Sequence, residues 1–298
     1  MEDFFNEHLS DRKTTRIITR NGTTSSLEAL RKMNVEQAKS IVILNGATAS
    51  DSQTKKAAED ARALKTIMAV VASLEDGTDL PPIIVELHRE RNRTLAESIA
   101  PGRITTMDES SILAKLLVQT SRTSGLSIVY SNLVGFEGNE VYFFKPEGGW
   151  KGMNFGELLF HFDSPVVLGF RLADGKISLN PPSDFKPQEN DSAIVLASDD
   201  SAIKFLKDRF SPDIDKPIPS LSSARKTERQ LIAGWNTKVP TIIEEYAKYV
   251  LDGSDIDIVV AEPDDALTNT FREIQKQHDR VKLRLIKADI HSPEVLEK

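Results

Sequence analysis

Residues 228–262, ERQLIAGWNTKVPTIIEEYAKYVLDGSDIDIVVAE, decide the fold. Gln230 to Gly234 is a short apolar strand closed by glycine, and Ile242, Ile243 and Tyr246 recur at helical spacing behind it. Ile256 to Glu262 is a second strand; the continuous apolar run at Lys39 to Leu44, further towards the N-terminus, is the one that reads as a strand with both faces covered by helices. Strand, helix, strand in this order is the opening of a Rossmann-like unit. A further helix near Thr268 to Gln277 and a strand at Lys282 to Ile286 continue it.

Outward towards the N-terminus, the same alternation appears without an opening. TTRIITRNG (14–22), KSIVILNG (39–46) and PPIIVELHR (81–89) read as later strands of another such unit. Arg16 to Thr19 is expected as a strand ended by Asn21-Gly22, and Thr24 or Ser25 as the cap of a helix through Leu27, Leu30 and Met33. Ala58, Ala61, Leu64, Ile67, Met68 and Val71 predict one buried face of a long helix. A helix near Arg91 to Ile99, a strand at Arg103 to Thr106 and a helix through Ile112 and Leu116 follow. Because a doubly wound sheet keeps its first strand in the middle, this N-terminal part cannot complete a normal sheet by itself. Either the chain is a regulatory fragment, with the strands at 40–44 and 230–234 far apart, or its tail completes its head and those strands lie side by side, within one molecule or across a dimer. The fragment arrangement is the expected one.

The pattern changes near Gly125. Val141 to Phe144 is a strand, Phe155 to Phe162 a helix, Val166 to Leu172 with Lys176 to Leu179 a hairpin about Asp174-Gly175, and Ala193 to Ala197 a closing strand. This is a small α+β module, and its aromatic stretch from Tyr142 to Phe162 serves as core and as a candidate dimer surface. Asp213 to Arg225, rich in Pro and Ser, is the linker that follows.

The chain has 298 residues, 39% hydrophobic and 28% charged, as expected of about two globular domains. Lys+Arg 38 against Asp+Glu 45 gives a net charge of −7, which argues against nucleic acid as the main partner. Absence of cysteine excludes disulfides, thiolate catalysis and cysteine-ligated zinc. No apolar run approaches the roughly 20 residues of a membrane-spanning helix.

Several blocks occur in a family order: RNGTT (20–24), LRKMNVEQAKSIVIL (30–44), DARAL (60–64), VGFEGNEVYF (134–143), GKISLNP (175–181), NDSAIVLASDD (190–200) and ERQLIAGWNTKVPTIIEE (228–245). Together they make the chain resemble the cytosolic region of Castor/Pollux-type ion channels, relatives of the RCK (regulator of potassium conductance) and TrkA gating proteins, without the pore helices. The resemblance implies an α/β fold of Rossmann-like parallel sheet segments separated by a small α+β RCK-C/TrkA-C-like domain. It divides the chain into 1–124, an incomplete RCK N-lobe from its third strand onward; 125–208, the small domain; 209–227, a linker; and 228–298, the first half of a second Rossmann-like RCK domain. It implies a cytoplasmic gating module, homo-oligomeric, that works on a pore-forming channel subunit or region and reaches the membrane only through it. Potassium transport and calcium sensing come with that reading.

A nucleotide would sit at the turn Gly234-Trp235-Asn236-Thr237-Lys238-Val239-Pro240, where glycines let backbone N–H groups approach phosphate. Gly234, Asn236 and Lys238 are the candidates there, with Glu262 as acceptor from a ribose hydroxyl. Only one glycine is present, and Trp235 and Val239 stand where small residues are needed, so packing outweighs nucleotide binding. Asp191, Asp199 and Asp200 are candidate oxygen ligands for calcium. Asp252, Asp255 and Asp257 form a similar acidic turn that lacks a downstream bidentate glutamate. Arg89, Arg91 and Arg93 make an alternating basic patch, with a solvated loop as the plainer reading. The scattered histidines and the lack of a G-x-S-x-G elbow leave no catalytic constellation. The rival readings are an NAD(P)-dependent oxidoreductase on the same scaffold and a truncated interaction domain without separate activity.

Overall fold

A computed structural model describes residues 7, 14–48, 50–74, 79–135, 138–210 and 225–289. Most of the expected linker, 211–224, lies outside the described residues, as do His8 and His291. The chain forms two compact units, one of residues 1–118 with 226–298 and one of residues 119–225.

The first part of unit 1 runs α1 (Leu27–Lys32), β1 (Ile41–Ile43), α2 (Gln53–Ser73), β2 (Ile83–Glu86), α3 (Glu90–Ile99), β3 (Ile104–Met107) and α4 (Glu109–Arg122). Ser26 caps α1 by accepting from Ala29 N, and Ser52 caps α2 by accepting from Lys55 N. The strands pair in parallel in the order β1-β2-β3, with Ile41 beside Ile83 and Ile83 beside Ile104. Ile43, Ile83, Val85 and Ile104 face a core closed by Ala63, Ile67 and Val70 of α2 and Ala96 of α3. The buried stripe of α2 is therefore rotated from the expected one. Met68, Ala58 and Ala61 are exposed, and Asp60 points inward with Ala63 and Ile67.

The other face of this sheet is open. Val42, Leu44 and Met107 are exposed there, and with Ile84, Ile112 and Leu113 they line a groove of about 320 Å³.

Arg16 to Thr19 does not form the expected strand. Flanked by Arg16 and Arg20, Ile17 and Ile18 offer two apolar residues and no ladder partner among the described residues, and an unpaired segment of that length gains too little to order as sheet.

The rest of unit 1 is β8 (Arg229–Ala233), α7 (Val239–Tyr249), β9 (Asp255–Val260), α8 (Asp265–Gln277) and β10 (Lys282–Lys287), numbered after the strands of unit 2. They form a separate parallel sheet, β10-β9-β8. Ile243 and Tyr246 of α7 pack on Ile256, Ile258 and Leu283 as the periodicity requires, with Phe271 and Ile274 of α8 and Val118 of α4 in the same core. Within one molecule the expected strands do not lie side by side: among the described residues β8 pairs only with β9 and β1 only with β2.

Unit 2 contains α5 (Leu126–Val134), β4 (Glu140–Phe144), α6 (Phe155–Leu158), β5 (Val166–Arg171), β6 (Ile177–Leu179) and β7 (Ser192–Ala197). Its antiparallel sheet has the order β4-β7-β5-β6. Gly175, at φ 85°, turns the β5–β6 hairpin at the expected place. Helix α6 is shorter than the expected 155–162 and passes into a 3₁₀ turn, Leu159–His161, that lets Phe162 turn into the core. There Trp150 and Phe155 each meet Phe170 edge-to-face, with Trp150 and Phe170 5.3 Å apart at their ring centres, and Phe162 meets Phe144 and Phe205 in the same way. The fold class is thus the expected one, two parallel α/β sheet segments and a small antiparallel α+β body.

Candidate functional site

The carboxyl edges of the parallel sheets are where an α/β protein holds a ligand. At the tail sheet, Gly234 follows β8 at φ 93°, and its N–H donates to Val259 O (2.8 Å). Trp235 packs against the core. Asn236 folds back on the helix start: its Oδ1 accepts from Lys238 N (2.8 Å) and its carbonyl from Val239 N (3.1 Å). Of the donors that an anion would meet here, two are therefore occupied, and Pro240 has none. Glu262 lies two residues beyond β9, at the same edge as Gly234, and is exposed. The structure brings the four residues to one sheet edge, where two backbone donors at the start of α7 are already taken.

The three aspartates of unit 2 are not brought together. Asp191 precedes β7 and Asp199 and Asp200 follow it, so a six-residue strand, about 20 Å at ordinary rise, stands between them. Asp191 is buried and accepts from Ala173 N (2.9 Å) and Gln188 N (2.7 Å), while its carbonyl accepts from Trp150 Nε1 (3.1 Å). Asp199 accepts from the N–H and hydroxyl of Ser201, bonds that hold its carboxyl below the usual carboxylate range. Among the described residues no three His, Asp or Glu side chains converge as metal ligands.

The edge of the first sheet carries a cluster that sequence reading missed. Asp60, fully buried on α2, accepts four hydrogen bonds: from Asn45 Nδ2 (2.9 Å), His88 N (3.1 Å), Arg89 N (3.1 Å) and Asn92 Nδ2 (2.8 Å). One carboxylate thereby fixes the loop after β1, the loop after β2 and the start of α3. The signal available was an acid at the i−3 and i−7 positions of Ala63 and Ile67, inside an otherwise apolar stripe. Arg93 is also turned inward, donating to the carbonyls of Leu87 and His88 and to Asp108 (3.1 Å). The expected alternating patch dissolves for this reason: α3 begins at Glu90, so Arg89, Arg91 and Arg93 do not share a face.

On the tail sheet's face opposite Ile256 and Ile258, Asp257 is 2% exposed and bridges three strands. Arg229 Nε donates to it from β8 (2.9 Å), and Arg284 donates from β10 through Nε (2.6 Å) and Nη2 (2.9 Å). Burial pushes the Asp257 carboxyl up, but the two guanidinium groups outweigh it and hold the group below its usual range. Asp252 is paired with Arg280 (2.9 Å). The acidic turn 252–257 is therefore substantially neutralised by this chain's own arginines. No helix among the described residues is long and apolar enough to cross a membrane.

The described residues thus comprise two parallel α/β sheet segments in one unit and a small antiparallel α+β body in the other. Residues 110–211 match the family described as Castor and Pollux, part of voltage-gated ion channel. The chain is 28% identical over 250 residues to the probable ion channel POLLUX of Oryza sativa subsp. japonica, covering 81% of this chain and 24% of that protein. It is 29% identical over 255 residues to the ion channel CASTOR of Lotus japonicus, covering 82% and 27%. The resemblance read from the ordered blocks is borne out, and the chain spans about a quarter of the length of the curated relatives it matches. Two solved structures are also similar: the GsuK channel (TM-score 0.34, 12% identity, 95% of this chain and 46% of that one) and the GsuK channel bound to NAD (0.35, 13%, 95% and 46%). Likeness at that level is too low to place any residue.

Proposed function

We propose that this chain is a regulatory module of a Castor/Pollux-like cation channel, coupling the state of a bound ligand or ion to ion transport. The observation that carries the reading is similarity to an ion channel over 250 residues, 81% of the chain, together with the family match at residues 110–211. Two α/β sheet segments and an α+β body provide the parts for such a device, because a ligand that favours one disposition of them shifts the equilibrium by its differential affinity. In this reading the functional divisions are 1–124, 125–208, a linker at 209–227 and 228–298. The module is cytoplasmic, self-associates, and acts on a pore-forming subunit or region that carries potassium or another cation. It is a binding and signalling protein and not an enzyme.

The test is purification of the tagged chain from detergent-solubilised membranes. A multi-span membrane protein should be recovered with it in fixed stoichiometry, and ion flux through that partner in vesicles should depend on the chain. Flux indifferent to the chain, or turnover of a nicotinamide cofactor with a simple alcohol or acid, would overturn the proposal.

A further inference from the structure

Unit 2 holds a cleft of about 520 Å³ between the turn after β4 and the segment around Phe205. Lys145, Lys151 and Lys207 line it, with Phe144 and Phe205 as its apolar wall and Glu147 as its one carboxylate. None of the three lysines makes an ion pair or hydrogen bond through its side chain among the described residues, in a chain whose net charge is −7. Three ammonium groups against one carboxylate leave the cleft at +2 while the protein around it is acidic. A phosphate monoester carries about −1.5 to −2 at neutral pH and matches that charge. Lysine binds phosphate as a point charge without needing a fixed fork geometry. The cleft is within the usual size of small-molecule sites, which are roughly 300–1,000 Å³, and its two phenylalanines provide a surface for a flat or apolar ligand body.

We infer that this cleft binds a small soluble organic phosphate, a phosphomonoester on an aromatic or apolar body of about mononucleotide size. The inference stands on the chemistry of the cleft and is independent of the channel reading. Phosphate reaches the lysines and the organic body lies against Phe144 and Phe205.

Trp150 makes the site readable. It sits in the turn between Gly149 and Lys151, is buried, and has its ring centre 6.1 Å from that of Phe205. The chain has two tryptophans, so Trp235→Phe leaves Trp150 as sole reporter. AMP, inorganic phosphate and adenosine are titrated into the full chain and followed by calorimetry and Trp150 emission. AMP should bind and shift the emission, inorganic phosphate should bind more weakly, and adenosine weakest. Lys151→Gln and Lys207→Gln should each weaken AMP roughly tenfold, as expected on losing one charge-assisted contact. Glu147→Gln should tighten it, and Lys32→Gln, in unit 1, should leave it unchanged. AMP giving neither heat nor emission change at millimolar concentration overturns the inference. So does adenosine binding as tightly as AMP, lysine variants that bind like the parent, or binding only to vesicles of phosphatidic acid.

Discussion

Gly169→Ala is the substitution for which the structure dictates the largest penalty per added atom. Gly169 lies at φ 155° where the β5–β7 register shifts, opposite Leu179 on β6. A Cβ built there would lie 2.1 Å from Ser178 O and 2.8 Å from Leu179 Cα. Contacts of Cβ under 3.0 Å are essentially unknown, so the Ser178 carbonyl must retreat by at least 3.0 − 2.1 = 0.9 Å. The obstacle is backbone and cannot rotate away. Strand β6 is three residues long and, among the described residues, pairs only with β5, so the retreat costs the hairpin its ladder. Overpacking of this kind costs about 1–3 kcal/mol, and a backbone clash belongs at about 2–3. With a urea slope of about 2 kcal/mol/M, the midpoint should fall by about 1 M. Trp150 emission reports the unfolding of unit 2. Gly46→Ala is the control, because its Cβ would meet only Glu59 Oε2 at 2.7 Å, the far end of a flexible side chain. Equal midpoints for the two variants, or a Gly169→Ala midpoint within 0.2 M of the parent, would refute the reasoning.

Asp60→Ala strips four donors of their acceptor and should destabilise unit 1 by about 3 kcal/mol or more, with Asp60→Asn intermediate; urea unfolding measures both, and amide exchange at His88 and Arg89 should accelerate. The Asp257 carboxyl, held below its usual range, stabilises the fold at pH values above that range, and this contribution is lost as pH falls through the depressed folded value. Asp257→Asn should therefore lie furthest below the parent near pH 7, and their unfolding midpoints should converge below about pH 3.9. Asp191→Ala removes the carboxylate to which Ala173 N and Gln188 N donate and should speed amide exchange at both residues, while the indole bond of Trp150, made to the main-chain carbonyl of residue 191, stays in place.

The apolar skeleton was legible where periodicity alone decides it. Ile242, Ile243 and Tyr246 fall inward, the hairpin turns at Gly175, and the two parallel segments stay apart. Polar residues that act from inside the core were not legible. Asp60 sits on a helical face that hydrophobicity places one step round, because an acid reads as solvent-facing until its four donors, 15 to 32 residues away, are known. Asp257 read as part of an acid-rich turn, and its partners Arg229 and Arg284 lie 28 and 27 residues distant, joined to it only by strand register. Proximity in sequence misled in the opposite way at Asp191 and Asp199, which a single strand holds apart. At Asn236 the sequence offered a phosphate turn, and only the backbone shows that the side chain has taken the place of the anion.

That, among the described residues, neither parallel sheet borrows a strand from the other bears on the order of assembly. The first sheet closes within residues 41–107 and the second within 229–287, so neither ladder waits for the intervening stretch of more than a hundred residues to be spanned. Loop closure penalises distant pairings, and contacts of short sequence separation form sooner. On the ribosome the N-terminal ladder can therefore zip while the C-terminal strands are still unsynthesised, and burial of Val118 among the α7 and α8 side chains is left as the late step that joins them.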